Sequence, residues 1–184
     1  KKLVVIGNGE IYNYKNLIEE YNLTPKSNSD IEVLLHLYEI MGVKFIQEIN
    51  GEYSFILYDS DSKELFIARD QFGVRPLYYN YASSEKINKN IFCFSSTLSS
   101  IVNINELTNM NIRQFPPGNI MSLKKNENGY FEFKSLKPYI TLPTLVDHSF
   151  LKTNTNKLVY NSLKAAIKRR ILTSERPVGA LLSG

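Results

Sequence analysis

Between residues 50 and 133 the chain is a succession of short aromatic and β-branched runs, each cut from the next by turn residues. No other feature limits its fold so tightly. Residues 53–58 and 64–69 flank Asp59-Ser60-Asp61-Ser62, residues 77–81 and 91–95 flank a polar stretch, and residues 120–123 and 130–133 flank Asn126-Glu127-Asn128-Gly129. Runs joined this closely pair as antiparallel hairpins, since a parallel pair needs a crossover of roughly a dozen residues or more. Asn50-Gly51 and Pro116-Pro117-Gly118 add hard turns. The spacing predicts an α+β fold class built on antiparallel sheets.

Helical signals lie outside this stretch. Leu3-Val4-Val5-Ile6 reads as a buried strand that Gly7-Asn8-Gly9 breaks. Asn13 can cap a helix with Leu17, Ile18 and Tyr21 on one face. Ser29 and Glu32 form a capping box with Asp30 in the first turn. The helix that follows presents Ile31, Leu34, Leu35 and Tyr38, and Gly42 ends it. Residues 137–156 have the Pro, Thr and Asn content of a linker. A helix resumes near Asn156, with Val159, Leu163, Ile167 and Ile171 at four-residue spacing. Pro177 then leads an apolar run into Ser183-Gly184. A helix feeding a buried strand that ends in Ser-Gly begins an α/β nucleotide-binding domain.

Composition removes several function classes. Hydrophobic residues are 43% of the 184, enough for a core and against general disorder. No apolar run reaches the ~18–20 residues that a membrane span needs. One cysteine allows neither a disulfide framework nor a Cys-rich metal site, so no metal is expected. The net charge of +4 is mild. Its densest cluster, Lys164, Lys168, Arg169 and Arg170, lacks interleaved aromatics, so nucleic acid is not an expected partner. No signal peptide precedes Lys1, and the expected compartment is the cytoplasm. Lys1 opens directly into an apolar run and Gly184 falls at a strand-to-loop junction, so the chain is expected to be an internal segment of a longer protein.

Three constellations could carry chemistry. A Gly-flanked Asn8 at a strand end can aim a side-chain amide and a backbone N–H at one point, the arrangement of an oxyanion hole. On spacing alone a plain Asn-Gly turn stands ahead of it. Asp30 at a helix start suits the helix dipole, and the alternative is a carboxylate that grips a substrate ammonium. Arg69-Asp70 suits an internal ion pair that fixes the charged loop between two strands. His36 lies among leucines as a packed residue, His148 lies in the linker, and Cys93 between Phe92 and Phe94 reads as a small apolar residue without a base. The chain thus holds a candidate oxyanion hole and no evident nucleophile.

Six stretches, in order and over nearly the whole chain, resemble the glutamine-hydrolysing asparagine synthetases. They are Asn8-Gly9-Glu10-Ile11-Tyr12-Asn13, Ser29-Asp30-x-Glu32-Val33, Gly51-x-Tyr53-x-Phe55, Ala68-Arg69-Asp70-x-x-Gly73-Val74-Arg75-Pro76-Leu77-Tyr78, Phe115-Pro116-Pro117-Gly118 and Val178-Gly179-x-Leu181-Leu182-Ser183-Gly184. The resemblance implies a four-layer αββα sandwich of the N-terminal-nucleophile hydrolase type over residues 1–143. It implies a linker and the start of an ATP-dependent synthetase domain over 144–184. It implies a nucleophilic N-terminal cysteine whose own α-amino group is the base, and this chain begins after that residue and after the arginine that clamps the substrate carboxylate. By the same resemblance Asn8 and Gly9 match the catalytic oxyanion pair, and Glu10 and Asp30 match residues around the glutamine α-amino group. Leu182, Ser183 and Gly184 match the opening of the ATP loop. The implied cofactor is ATP with Mg2+ in the synthetase domain, with none in the glutaminase domain. The implied partners are glutamine, then aspartate and ATP through the C-terminal domain, and a homodimer is among the assemblies it allows. Other class II amidotransferases, of the glucosamine-phosphate synthase or phosphoribosyl amidotransferase type, stay open as alternatives. So do a β-lactam synthetase-like enzyme and a non-catalytic binding module.

Overall fold

The computed structural model describes residues 2–84, 89–104, 111–140, 155–174 and 177–181. In chain order its elements are β1 (Leu3–Ile11), α1 (Tyr14–Glu20), α2 (Val33–Met41), β2 (Gly51–Asp59), β3 (Glu64–Arg69), β4 (Tyr78–Ser84), β5 (Lys89–Ser95), α3 (Leu98–Val102), β6 (Ile112–Gln114), β7 (Asn119–Lys125), β8 (Phe131–Pro138) and α4 (Thr155–Thr173). Two 3-10 turns, Asp30–Glu32 and Gly42–Gln47, bracket α2. The contacts divide the chain into two units, Lys1–Thr141 and Leu142–Gly184.

Every strand pair is antiparallel, as the short connections require. Five strands form one sheet in the order β1-β2-β3-β7-β8, and three form another in the order β5-β4-β6. The three hairpins read from turn residues are β2-β3, β4-β5 and β7-β8. Strand alternation explains the layers. On β3, Phe66 and Ala68 face a core shared with Leu17 of α1 and Val33, Leu34 and Leu37 of α2. Ile67, between them, faces a second core with Leu77, Phe115, Met121 and Leu123, against which Tyr79 and Phe94 of the three-stranded sheet pack. α1 and α2, the five-stranded sheet and the three-stranded sheet thus stack in that order. Tyr79 meets Phe115 edge-on at 5.7 Å, a contact worth about 0.5–1.5 kcal/mol beyond its buried area.

Several local expectations need correction. Gly7-Asn8-Gly9 does not break the first strand, which continues to Ile11 in register with β2. Gly9 has φ +151°, and a Cβ there would overlap the Glu52 carbonyl oxygen. The glycine is required for close approach of two strands rather than for a turn. Asn13 makes no capping bond to its helix. Its Nδ2 donates to the Glu48 carbonyl at 2.8 Å, and its Oδ1 accepts from the Asn50 N–H at 2.8 Å, tying α1 to the start of β2. The Ser29/Glu32 box is likewise absent. Glu32 instead accepts from the Lys26 and Ser27 N–H groups at 2.7 and 2.8 Å and from the Ser27 hydroxyl. These bonds, the Lys26 amide foremost and then the Ser27 hydroxyl, hold its carboxyl down at about 2. α2 buries Val33, Leu34, Leu37 and Tyr38; of the expected stripe Leu34 and Tyr38 are buried, while Ile31, in the 3-10 turn, and Leu35 pack half-buried against the same core.

In the second unit α4 spans the expected helix, but none of its residues is buried. Val159, Leu163, Ile167 and Ile171 are all exposed. Residues 177–181 are exposed and form no strand, in contrast to the expected buried run. A strand needs a neighbour to satisfy its backbone, and the described residues of this unit supply none. Leu182, Ser183 and Gly184 lie outside the described residues, as does His148. Among the described residues no helix is long and apolar enough to cross a membrane.

Candidate functional site

β1 is an edge strand of its sheet. The Lys2 N–H donates to Ser60, the Ser60 N–H donates to Lys2, and the Tyr12 N–H donates to Asn50, so even-numbered residues turn their backbone toward β2. Alternation along the ladder turns the odd-numbered backbone groups to the open edge. The Ile11 N–H confirms it by donating away from β2, to Asp30 Oδ2 at 2.5 Å. The Gly9 N–H shares that open edge. Asn8, one residue before, is exposed, and its side chain lies on the face turned toward the second sheet. A side-chain amide and a backbone N–H therefore stand side by side at one place on the sheet rim.

Asn8 opens onto a cavity of about 200 Å³ that Ile6, Ser54, Ile56, Leu77 and Phe94 help to line. Ser54 is the direct cross-strand partner of Asn8. Glu10, half-buried, is directly opposite Glu52. Like charges opposed on a ladder are unfavourable unless a cation sits between them. Asp30 is brought to the same strand from nineteen residues away: one oxygen takes the Ile11 N–H and the other its neighbour Ile31's, at 3.0 Å. The structure thus brings Asn8, Gly9, Glu10 and Asp30 to one end of β1. Ser54 had no local sequence signal beyond the alternation of β2, and only the register reveals it.

The charged loop after β3 is fixed, but not by the expected ion pair. Arg69 and Asp70 are 3% and 1% exposed. The Arg69 guanidinium donates to the carbonyls of Arg75, Phe115 and Gly73 at 2.6, 2.8 and 2.5 Å. The Asp70 carboxylate accepts from the N–H groups of Phe72, Val74 and Arg75 at 3.0, 3.0 and 3.1 Å. Each charge is satisfied by backbone, which leaves the loop one conformation. Gly73, at φ +66°, has no room for a Cβ, which would lie 2.9 Å from both the Arg69 Cζ and the Pro117 Cγ. Burial lowers the Arg69 pKa, and the nearby Asp70 charge opposes that. Behind the loop the Tyr53 hydroxyl donates to Tyr139 at 2.9 Å, and Tyr139 donates to the Arg69 carbonyl at 3.0 Å.

The remaining candidates hold no catalytic geometry. His36 Nε2 lies 3.5 Å from Glu32. Cys93 is half-buried on β5, where burial raises its thiol pKa, the wrong direction for a nucleophile. Among the described residues no group of three or more His, Cys, Asp or Glu could hold a metal ion.

A family model described as a glutamine amidotransferase domain matches residues 1–115. The chain is 40% identical over 100 residues to asparagine synthetase [glutamine-hydrolyzing] 2 of Bacillus subtilis strain 168, covering 54% of this chain and 13% of that protein. It is 31% identical to asparagine synthetase [glutamine-hydrolyzing] 2 of Arabidopsis thaliana, over 100% of this chain and 29% of that one. It is 30% identical to the asparagine synthetase [glutamine-hydrolyzing] of Rattus norvegicus, over 96% and 33%. The chain spans about a third of the length of the curated relatives it matches end to end. Among solved structures, glutamine phosphoribosylpyrophosphate amidotransferase from B. subtilis shares the fold, with a TM-score of 0.55 and 22% identity over 71% of this chain and 29% of that chain.

Proposed function

Because the chain belongs to the glutamine amidotransferase domain family, we propose that it is the glutamine-hydrolysing part of an asparagine synthetase. The observation that carries this is the Asn8 amide beside the Gly9 N–H on an open strand edge, with Asp30 anchored two residues further on. Attack of a thiolate on the side-chain amide of glutamine moves the carbonyl electron pair onto oxygen. Asn8 Nδ2 and the Gly9 N–H then donate to that oxyanion, in place before the charge develops. The carboxylates of Glu10, Glu52 and Asp30 offset the α-ammonium of the substrate. The proton that left the thiol goes to the departing nitrogen, so collapse of the intermediate releases ammonia and leaves a thioester, which water hydrolyses to glutamate and the free thiol. Cys93 is unsuited to the attack, so the reading requires a cysteine outside these 184 residues.

The rest of the assignment is proposed on family likeness. Residues 1–143 would form the glutaminase domain and 144–184 the linker and the opening of the synthetase domain. The stacked helix, sheet and sheet layers support a four-layer αββα sandwich. ATP with Mg2+, and aspartate as ammonia acceptor, are proposed for the part of the relatives that this chain does not span. Leu182, Ser183 and Gly184 are proposed for ATP, and a homodimer for the assembly. The test is made on the product of the complete reading frame, which should release glutamate from glutamine and form asparagine from either glutamine or ammonia. Asp30→Ala should impair the glutamine-dependent reaction and spare the ammonia-dependent one. Absence of glutamate release in the unaltered protein would remove the reading.

A further inference from the structure

We propose that the 3-10 turn Asp30–Glu32 is a positioning clamp for the Asn8 and Gly9 donors, with Ile31 as a positioning residue that no motif singles out. The inference rests on the glutaminase reading above. The turn touches β1 on both sides of the donor pair. On one side the Asp30 carboxylate takes the Ile11 N–H at 2.5 Å. On the other, Ile31 lies so close to Gly7 that a Cβ there would sit 3.1 Å from its Cδ1 and 3.2 Å from its Cγ2. Gly7 is the residue that leaves Ile31 this seat.

The clamp is itself anchored at both ends. Glu32 is fixed to the Lys26 and Ser27 amides, and Val33, the next residue, is wholly buried at the start of α2. Ile31 packs against the same helix-side core. An edge strand has no ladder on its outer side to hold it, so its outer amides fray more readily than those of central strands. Donors for a transition-state charge must nevertheless hold their place to within about half an ångström. Ile31 braces residue 7 on the helix-side face and Asp30 braces residue 11 at the outer edge, which meets that need while leaving the Gly9 N–H on the open edge.

The experiment uses the product of the complete reading frame, with Ile31→Ala and Ile31→Val. In Ile31→Ala the Ile11 amide, which Asp30 holds, should exchange hydrogen at least ~10-fold faster, with little change in amides of β3 and β7. Glutaminase kcat should fall ~10–100-fold, KM should stay within about threefold, and ammonia-dependent synthesis should be unchanged. Ile31→Val, which keeps the branched contact, should restore most of both. Unchanged Ile11 exchange in Ile31→Ala, or loss confined to the thermal midpoint, would overturn the clamp. If the unaltered protein releases no glutamate, the glutaminase reading fails, and amide exchange alone then decides the clamp in either direction. Should Ile31→Ala not fold, Gly7→Ala, whose Cβ would press on Ile31 Cδ1 and Cγ2, carries the same measurements.

Discussion

At the scale of single residues, the site depends on where hydrogen-bond donors are spare and where they are missing. Asn8 is exposed and its side chain has no hydrogen bond among the described residues, so Asn8→Ala should leave the thermal midpoint unchanged. In the glutaminase reaction it should lower kcat by ~10²–10³, about 3–4 kcal/mol, with little change in KM. Asn8→Asp should be at least as damaging, since a carboxylate repels the oxyanion. A folded Asn8→Ala protein with near-normal kcat would take Asn8 out of the site. Asn80 is the opposite case. It is wholly buried on β4 between Cys93 and Ile112, and among the described residues neither atom of its amide has a hydrogen-bond partner. An unmatched buried polar group costs about 1–3 kcal/mol, so Asn80→Leu should raise the thermal midpoint, and a fall would show that the amide has a partner. The residue scale is also where sequence reading stops short. Gly9 looks like a strand breaker because the reason for it, the Glu52 carbonyl, lies across the ladder. Asp30 looks like a helix cap because its true partner is nineteen residues away.

At the scale of elements, legibility follows the range of the interaction. The β2-β3, β4-β5 and β7-β8 hairpins were readable because strand, turn and strand are contiguous. The join of β3 to β7 and the short strand β6 were not, since nothing local marks them. Arg69 and Asp70 were readable as a loop-fixing pair, yet their real partners are the backbone groups of a loop whose path the sequence does not state. The turn before α2 has a pH dependence of its own. Glu32 has its carboxyl lowered from 4.5 to about 2 in the folded protein, first by the Lys26 amide. A depressed carboxylate stabilises fully above its unfolded value and loses that contribution as pH falls toward the folded one. The 26–32 turn should therefore loosen between about pH 4.5 and pH 2, seen as lost protection of the Lys26 and Ser27 amides relative to their intrinsic exchange at each pH. Glu32→Gln should show the loosened state at neutral pH, with the acid-dependent step absent. A step of unchanged size in Glu32→Gln would assign it to another group.

At the scale of the whole molecule, two units of different character share one chain. The first has two sheets and two packed cores, while the described part of the second is a helix with its apolar side uncovered. The sequence showed the periodicity of that helix, but periodicity does not say what covers a face. The same scale decides activity. The only sulfur nucleophile in the 184 residues is Cys93, half-buried with a raised pKa. Supplied with glutamine, the purified 184-residue chain should release no glutamate above a protein-free blank, and release that survives Cys93→Ser would require a different nucleophile within the chain.

The tyrosine pair behind the Arg69 loop gives the molecule an optical property. There are twelve tyrosines and no tryptophan, so near-ultraviolet absorbance and emission belong to phenol rings. Burial, above all, pushes Tyr139 up to about 12, does the same to Tyr38 beside Asp59, and carries Tyr53 higher still. The phenolate band of these buried rings should appear only when the sheet that buries them gives way, so ultraviolet absorbance in an alkaline titration reports on the fold without any added label.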